Sequence, residues 1–277
     1  MNHSAAGSTA GIAANARQVN AWRLPELSAR ALHAWRRNFL VWRKHALPSM
    51  TGHLADPMFY MLGLGFGLGA LLPQVDGVRY INFLAGGTVC FSTMNSASFE
   101  ALYSAFARMQ MQRTWDAILN APMTLDDIVL GEHLWAASKA FLSGTAILAV
   151  IWVLGLTHSP LSLWIIPITF LIGFCFAGMA LVMTALSPSF DFFMFYMTLM
   201  MTPMSLLCGV FFPISQLPQA MQVVAQVLPL THAVELVRPL IYGEVPTFWA
   251  MRIAILLAYG AVGLYFALGF MRRRLLK

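Results

Sequence analysis

Between residues 55 and 271 the chain is built from apolar stretches of about 20 residues, separated by short polar loops and closed by Met271-Arg272-Arg273-Arg274. At about 1.5 Å per residue, such a stretch coiled as a helix spans the roughly 30 Å hydrocarbon core of a bilayer. The pattern predicts an all-α polytopic membrane protein with about six crossings, near 55–73, 80–101, 129–154, 162–186, 192–212 and 248–271. Composition agrees, with 59% hydrophobic and only 10% charged residues, where a soluble domain carries about 25% charge. Six helices leave about fifty residues ahead of the first span and no room for a separate soluble domain. Function is therefore to be sought in transport across a bacterial inner membrane rather than in soluble catalysis.

The formal charge of +6 is not a nucleic-acid signature, because of where the charges lie. With the N-terminus inside, residues 1–54, 102–128, 187–191 and 272–277 face the cytoplasm and hold thirteen of the seventeen Lys and Arg. Only Arg79 and Arg238 fall clearly outside, with Arg252 and Lys139 near span ends. That bias predicts both termini in the cytoplasm. Residues 1–21 are expected to be disordered, and no apolar h-region of a cleaved signal follows them closely.

Residues 22–44 read as an amphipathic helix. Arg23, Arg30, Arg37 and Lys44 recur every seven residues, beside an apolar face of Leu24, Leu27, Ala31, Trp35, Phe39 and Trp42. That pattern suits a helix lying in the cytoplasmic interface or docked on protein. Gly63, Gly65, Gly67 and Gly69 in span one allow close helix approach. Pro73 and Asp76-Gly77 mark a short outer loop.

Span two carries Asn82, Ser92, Thr93, Asn95, Ser96, Ser98 and Glu100. Polar groups in a span need partners in a bundle or a wet cavity. Two readings stand: helix-to-helix hydrogen bonding, or a face lining a substrate path. In the second, that face would include Asn82, Asn95, Ser96 and Ser98, with aromatics such as Tyr60, Phe91, Phe99, Phe195 and Tyr196 beside it.

In the long connection 102–128, the run from Arg108 to Leu119 has helical character and Asn120-Ala121-Pro122 breaks it. Thr124 is placed to cap a following helix, with Asp126 and Asp127 in its first turn. Glu132, His133 and Lys139 lie close to the inner boundary, where snorkelling limits the cost of charge. Glu100 lies there too. Two short helices near 217–228 and 231–242 are each too short to cross and read as broken, re-entrant pieces. His232 and Glu235, three apart on one helix face, read as a structural hydrogen-bonding pair.

Several chemistries are missing. Lys44, Lys139 and Lys277 are the only lysines and none follows a glycine loop, so the chain has no P-loop for ATP. There is no HExxH, GxSxG or metal spacing, and Cys90, Cys175 and Cys208 sit in apolar runs as buried small hydrophobes. No buried acid relay suggests proton coupling. An enzyme is not indicated, and no cofactor is expected in this chain.

The order of elements resembles the permease subunit of ABC-2 type exporters from about residue 22 to 277. It has an amphipathic N-terminal helix with its connector (22–54), then a transmembrane domain (55–277) with a coupling helix after span two and re-entrant helices before span six. The segments NAPMTLDDIVLGE at 120–132, GVFFPISQLP at 209–218 and LPLTHAVELVRPL at 228–240 resemble the branch of that family that exports nodulation lipo-oligosaccharides. The resemblance implies two copies of this chain and two copies of a separate cytoplasmic ATPase, which binds the ATP and Mg²⁺. It implies an amphipathic substrate, an acylated chitin oligosaccharide of the Nod-factor kind, or alternatively another lipid-linked glycan or an amphipathic drug. It also places roles: Arg108, Gln112, Arg113, Trp115, Asp116 and Leu119 on the coupling helix, with Glu132 and His133 anchoring the base of span three. Phe211, Phe212 and Pro213 would stand at the entrance of an outer gate that includes His232, Glu235 and Arg238.

Overall fold

The protein, described here from a computed structural model, is resolved over residues 21–72, 74–75 and 77–276. The disorder expected for residues 1–20, and Pro73 and Asp76 of the outer loop, lie outside the described residues. The elements are α1 (Ala31–Arg43), α2 (Ala46–Leu71), a two-residue hairpin β1 (Gln74–Val75) and β2 (Val78–Arg79), α3 (Tyr80–Phe99), α4 (Thr114–Leu119), α5 (Leu125–Val153), α6 (Ile165–Leu186), α7 (Phe193–Tyr196), α8 (Thr202–Leu207), α9 (Gln219–Val227), α10 (Pro229–Tyr242) and α11 (Trp249–Leu275). In the hairpin Gln74 pairs with Arg79 and Val75 with Val78, antiparallel.

The fold is an all-α polytopic membrane bundle. Four helical runs are long and apolar enough to cross a membrane: Leu125–Val153, Pro160–Leu186, Phe190–Leu207 and Trp249–Leu275. α9 and α10 form a pair bent by 87°, which counts as a fifth crossing only if taken as one span. α2 is apolar only over Pro57–Leu71, and the polar run of α3 lowers its hydropathy.

α6 is the most buried of the four runs and packs on α3, α5 and α11. The α6–α11 crossing depends on the absence of side chains. A Cβ on Gly178 would lie 2.6 Å from the Gly260 carbonyl oxygen, and one on Gly263 2.6 Å from the Gly178 carbonyl carbon. With lipid as apolar as leucine, such backbone contact replaces the hydrophobic effect as the packing force. The glycines of α2 divide: Gly63 and Gly67 have nothing within 4 Å of a built Cβ, whereas a Cβ on Gly65 would lie 3.0 Å from Ile81 Cγ1 of α3. Close approach to α3 therefore rests on Gly65, while Gly63 and Gly67 lie on an open face among the described residues.

Other expectations are corrected. The amphipathic helix begins at Ala31, not near 22. Residues 24–28 have no regular structure, so Arg23 and Arg30 do not belong to one helical stripe with Arg37 and Lys44. Tertiary bonds claim this strap. Arg272 Nη1 donates to the Ala21 and Arg23 carbonyls at 3.1 and 2.6 Å, and the Glu26 N–H donates to Asp126 Oδ2 at 3.1 Å. α1 itself docks on α5, Trp35 Nε1 donating to Ser138 Oγ at 2.9 Å, while Leu32 and Val41 remain exposed.

α3 runs on beyond the expected end of span two through π-helical turns at Glu100–Ser104 and Ala107–Met111. The run expected as one helix from Arg108 to Leu119 is broken at Arg113, which is left-handed with φ 48° before α4 begins. Span five ends at Leu207 and is interrupted by a π turn, Met197–Met201. There the Thr202 N–H bonds five residues back to the Met197 carbonyl, and Pro203, which has no N–H, follows. α5 begins where Thr124 caps it, in a capping box with Asp127. The three cysteines are free and buried.

Candidate functional site

The inner end of the bundle holds a four-residue ion cluster. In an ideal α-helix, residues eight apart lie about 80° apart around the axis. One π turn adds a residue without advancing the face, which brings positions 100 and 108 to within about 20°. Glu100 and Arg108 therefore meet, with Arg108 Nη2 donating to Glu100 Oε1 at 2.8 Å. The carbonyl of Ala101, in the same π turn, accepts from Thr184 Oγ1 of α6 at 2.7 Å.

α5 supplies the other side. Glu132 takes Arg108 Nε on Oε1 at 2.9 Å and Arg108 Nη2 on Oε2 at 2.5 Å. Lys139 Nζ donates to Glu100 Oε2 at 2.8 Å. Two indoles complete the set: Trp135 Nε1 to Glu100 Oε1 at 2.9 Å and Trp115 Nε1 to Glu132 Oε1 at 3.2 Å. Both glutamates are 3% exposed, so the expectation of cheap, snorkelling charge is overturned for Glu100 and Glu132. Burial tolerates them because two cations neutralise two anions and each carboxylate has several donors. For Arg108, burial alone would lower the pKa, but the Glu132 and Glu100 carboxylates outweigh it and hold the guanidinium above the ordinary arginine range.

The cluster fixes the segment expected to be the coupling helix. Trp115, 1% exposed, is the tooth by which α4 is set into the bundle. Arg108 and Trp115 thus face inward, and Leu119 is half-buried. Gln112, Arg113 and Asp116 are the exposed members of the expected set. Arg37 of α1 reaches across, Nη2 donating to Thr114 Oγ1 at 3.4 Å. His133 does not join them; buried completely, its Nε2 lies 2.8 Å from the Phe174 carbonyl oxygen.

The expected path residues separate into two groups. Phe91, Asn95 and Phe99 recur at i, i+4 and i+8 and form the less buried stripe of α3. Tyr60, Phe91 and Phe211 form a triangle of rings with centroids 5.8 to 6.0 Å apart. Phe99 stacks on Tyr103 at 5.4 Å. Asn95 makes no hydrogen bond to the described residues. Ser96, Ser98 and Tyr196 instead point into the bundle and are buried, Asn82 Nδ2 donates to the Leu156 carbonyl at 3.2 Å, and Phe195 is exposed beside Phe192.

At the other end, Arg238 of α10 ties down the segment that follows α8. Its Nη2 donates to the Gly209 carbonyl at 2.5 Å, its Nε to the Phe83 carbonyl at 3.3 Å, and its guanidinium lies 3.7 Å from the Phe83 ring centroid. Tyr80 donates to the Phe211 carbonyl at 3.1 Å. Phe212 is half-buried and Pro213 buried. Glu235 pairs with Arg252 at 3.1 Å, not with His232.

No group of three or more His, Cys, Asp or Glu suited to a metal occurs among the described residues. A membrane bundle whose four-residue ion cluster is neutral and braces an exposed helical knob has the parts of a transport subunit. The family profile described as "ABC-2 type transporter" matches residues 30–242. The chain belongs to the ABC-2 type transporter family. It is similar to "Nodulation protein J" of Rhizobium meliloti (strain 1021), 47% identical over 242 residues, covering 87% of this chain and 92% of that one. It is similar also to "Nodulation protein J" of Bradyrhizobium diazoefficiens, 48% identical over 88% of this chain and 93% of that one. "Inner membrane transport permease YadH" of Escherichia coli (strain K12) is 22% identical over 76% of this chain and 79% of that one. As a member of the ABC-2 family the chain is a non-catalytic transport subunit.

Sequence reasoning missed the clamp in which Arg272 Nε donates to Asp126 Oδ1 at 2.9 Å, and the reach of Lys139 to Glu100. The usable signal was a count: two acids and two bases at one end of two adjacent spans, where none could be left alone.

Proposed function

We propose that this permease exports an acylated chitin oligosaccharide from the inner leaflet, driven by a separate ATPase docked on Gln112, Arg113 and Asp116. In this reading α2 and α3 also cross the membrane, making six spans. α9 and α10 form an outer re-entrant gate, both termini are cytoplasmic, and two copies pair. The observation that carries the substrate is the α3 stripe. Aromatic rings at Phe91, Phe99 and Tyr60 flank an amide, Asn95, that has no hydrogen-bond partner among the described residues. Rings and an amide suit sugar faces and hydroxyls, and the adjoining apolar face of α2, with Phe59 and Phe66 exposed, suits an acyl chain. The high identity to proteins named "Nodulation protein J" points the same way.

In the mechanism, closure of the ATPases pushes on α4. Trp115, Glu132 and Arg108 transmit that push as one rigid block to α3 and α5, and the stripe on α3 moves with them. The Arg238 tie must release for the outer segment to open. The test is the ATPase rate of the co-purified complex in proteoliposomes, with acylated chitin oligosaccharide, the same oligosaccharide without its acyl chain, and an amphipathic drug. Stimulation by the acylated sugar alone supports the proposal. Stimulation by the drug alone assigns the permease to the drug class, and no response to any removes the substrate assignment.

A further inference from the structure

Away from the basic termini, at the opposite end of the bundle, α6, α10 and α11 enclose a cavity of about 470 Å³. Three one-sided helical stripes converge on it: Trp164, Ile168 and Leu171; Leu236 and Leu240; and Trp249 and Ile253. Pro167 and Pro246 place short rings where longer side chains would fill the space. Every lining residue is apolar or aromatic, and none is charged. The cavity is separate from the α3 stripe and from the ion cluster, and shares no residue with either.

We propose that this cavity binds one acyl chain of a phospholipid from the surrounding leaflet. α6 and α11 are crossing helices, so a cavity between their ends opens into membrane. Unfilled, it would forfeit the dispersion contacts of its whole lining. The volume falls within the range of about 300–1,000 Å³ typical of small-molecule sites. A helix of a second copy, about 10–12 Å across with its side chains, is too wide to enter. The rim sets the depth. Trp164 and Trp249 are 65% and 55% exposed, and neither indole N–H has a partner among the described residues. Tryptophans of this kind sit at the headgroup boundary with the ring in hydrocarbon. The mouth therefore lies where a lipid tail leaves its headgroup. A seated tail braces α10 against α6 and α11, and so stiffens one arm of the bent pair.

The experiment uses the full chain in nanodiscs containing a trace of phosphatidylcholine with a diazirine at mid-chain, photolysed and mapped by peptide mass spectrometry. Val262 and Phe266, lipid-exposed on the same α11, give the bulk-lipid background. Labelling at Leu171, Leu240 and Ile253 about tenfold above that background, lost at Leu171 and Ile253 in Leu240→Trp, is the expected result. Leu171→Trp fills the same space from α6 and removes the excess at Leu240 if the first variant folds poorly. Equal labelling at all sites overturns the proposal, as does excess labelling that survives both filling variants. Displacement of the label by an equimolar acylated chitin oligosaccharide would also overturn it, assigning the cavity to the exported molecule.

Discussion

Arg108 is held by two carboxylates from different elements, so deleting it strands both inside the bundle. Removing one partner of a buried ion pair costs about 3–5 kcal/mol, mostly through the charge left behind. Arg108→Ala is expected to lower the thermal midpoint of the purified chain more than Arg113→Ala, whose side chain is exposed. A double-mutant cycle of Arg108→Ala and Glu132→Gln should show coupling of about 1–3 kcal/mol. Additivity within about 0.5 kcal/mol would mean that the two side chains do not act as a unit. Asn95 and Ser96 make a sharper pair. They are adjacent in sequence, yet Ser96 is 1% exposed and turned inward while Asn95 lies on the open stripe. Asn95→Ala should raise the half-saturating concentration of acylated oligosaccharide roughly three- to tenfold, the worth of one hydrogen bond. Ser96→Ala should leave it unchanged, and equal effects would remove the α3 stripe from the path.

At the scale of elements, the π turns and the N-terminal strap show what the sequence could and could not reveal. Hydropathy located the four long apolar helical runs because membrane-crossing length and apolarity are properties of composition, while α2 and the polar α3 fall short of that signal. Thr124-Leu125-Asp126-Asp127 announced the start of α5 because a capping box is local chemistry. The break at Arg113 was not legible. A left-handed non-glycine residue is locally unfavourable, and it persists because the reversal lets Trp115 reach Glu132 across seventeen positions. Nor was the strap, since the heptad-spaced basic residues favoured a helix, while Asp126, Tyr265 and Arg272, far away in sequence, claim its backbone. Two outcomes follow. Thr184→Val should destabilise the chain by about 1–3 kcal/mol, because it leaves the Ala101 carbonyl in the π turn without its inter-helix donor. A smaller shift in chemical-denaturation midpoint would show that the carbonyl is satisfied elsewhere. Asp126→Asn should loosen the strap, so that trypsin cuts after Arg23 and Arg30 faster while sites in α11 remain protected. Unchanged cleavage would mean that the strap is held without Asp126, by the Arg272 bonds to its carbonyls and by Trp22, which packs on Tyr265, Phe266 and Phe270.

For the whole molecule, the path, the ion cluster and the Arg238 tie acquire meaning only with a direction across the membrane, and the exposed ends of the bundle make that direction measurable. Asp116 on α4 and Gln216 before α9 are both exposed, and the native cysteines are buried, so single cysteines at these two positions report side without interference. In intact cells a membrane-impermeant maleimide should label Gln216→Cys, and Asp116→Cys only after permeabilisation. The reverse pattern would invert the orientation and detach α4 from any cytoplasmic ATPase. With the orientation established, Asp116→Arg separates docking from assembly. Asp116 has no ion pair among the described residues, so reversing its charge strands no partner and should leave the thermal midpoint of the permease alone unchanged. On the proposed docking it alters the surface that would meet the ATPase, and an unfavourable charge at such a rim acts mainly on association. Co-purified ATPase should therefore fall while permease yield holds. If both fall together, α4 supports the fold; if neither falls, the ATPase docks elsewhere and the ion cluster braces only the bundle itself.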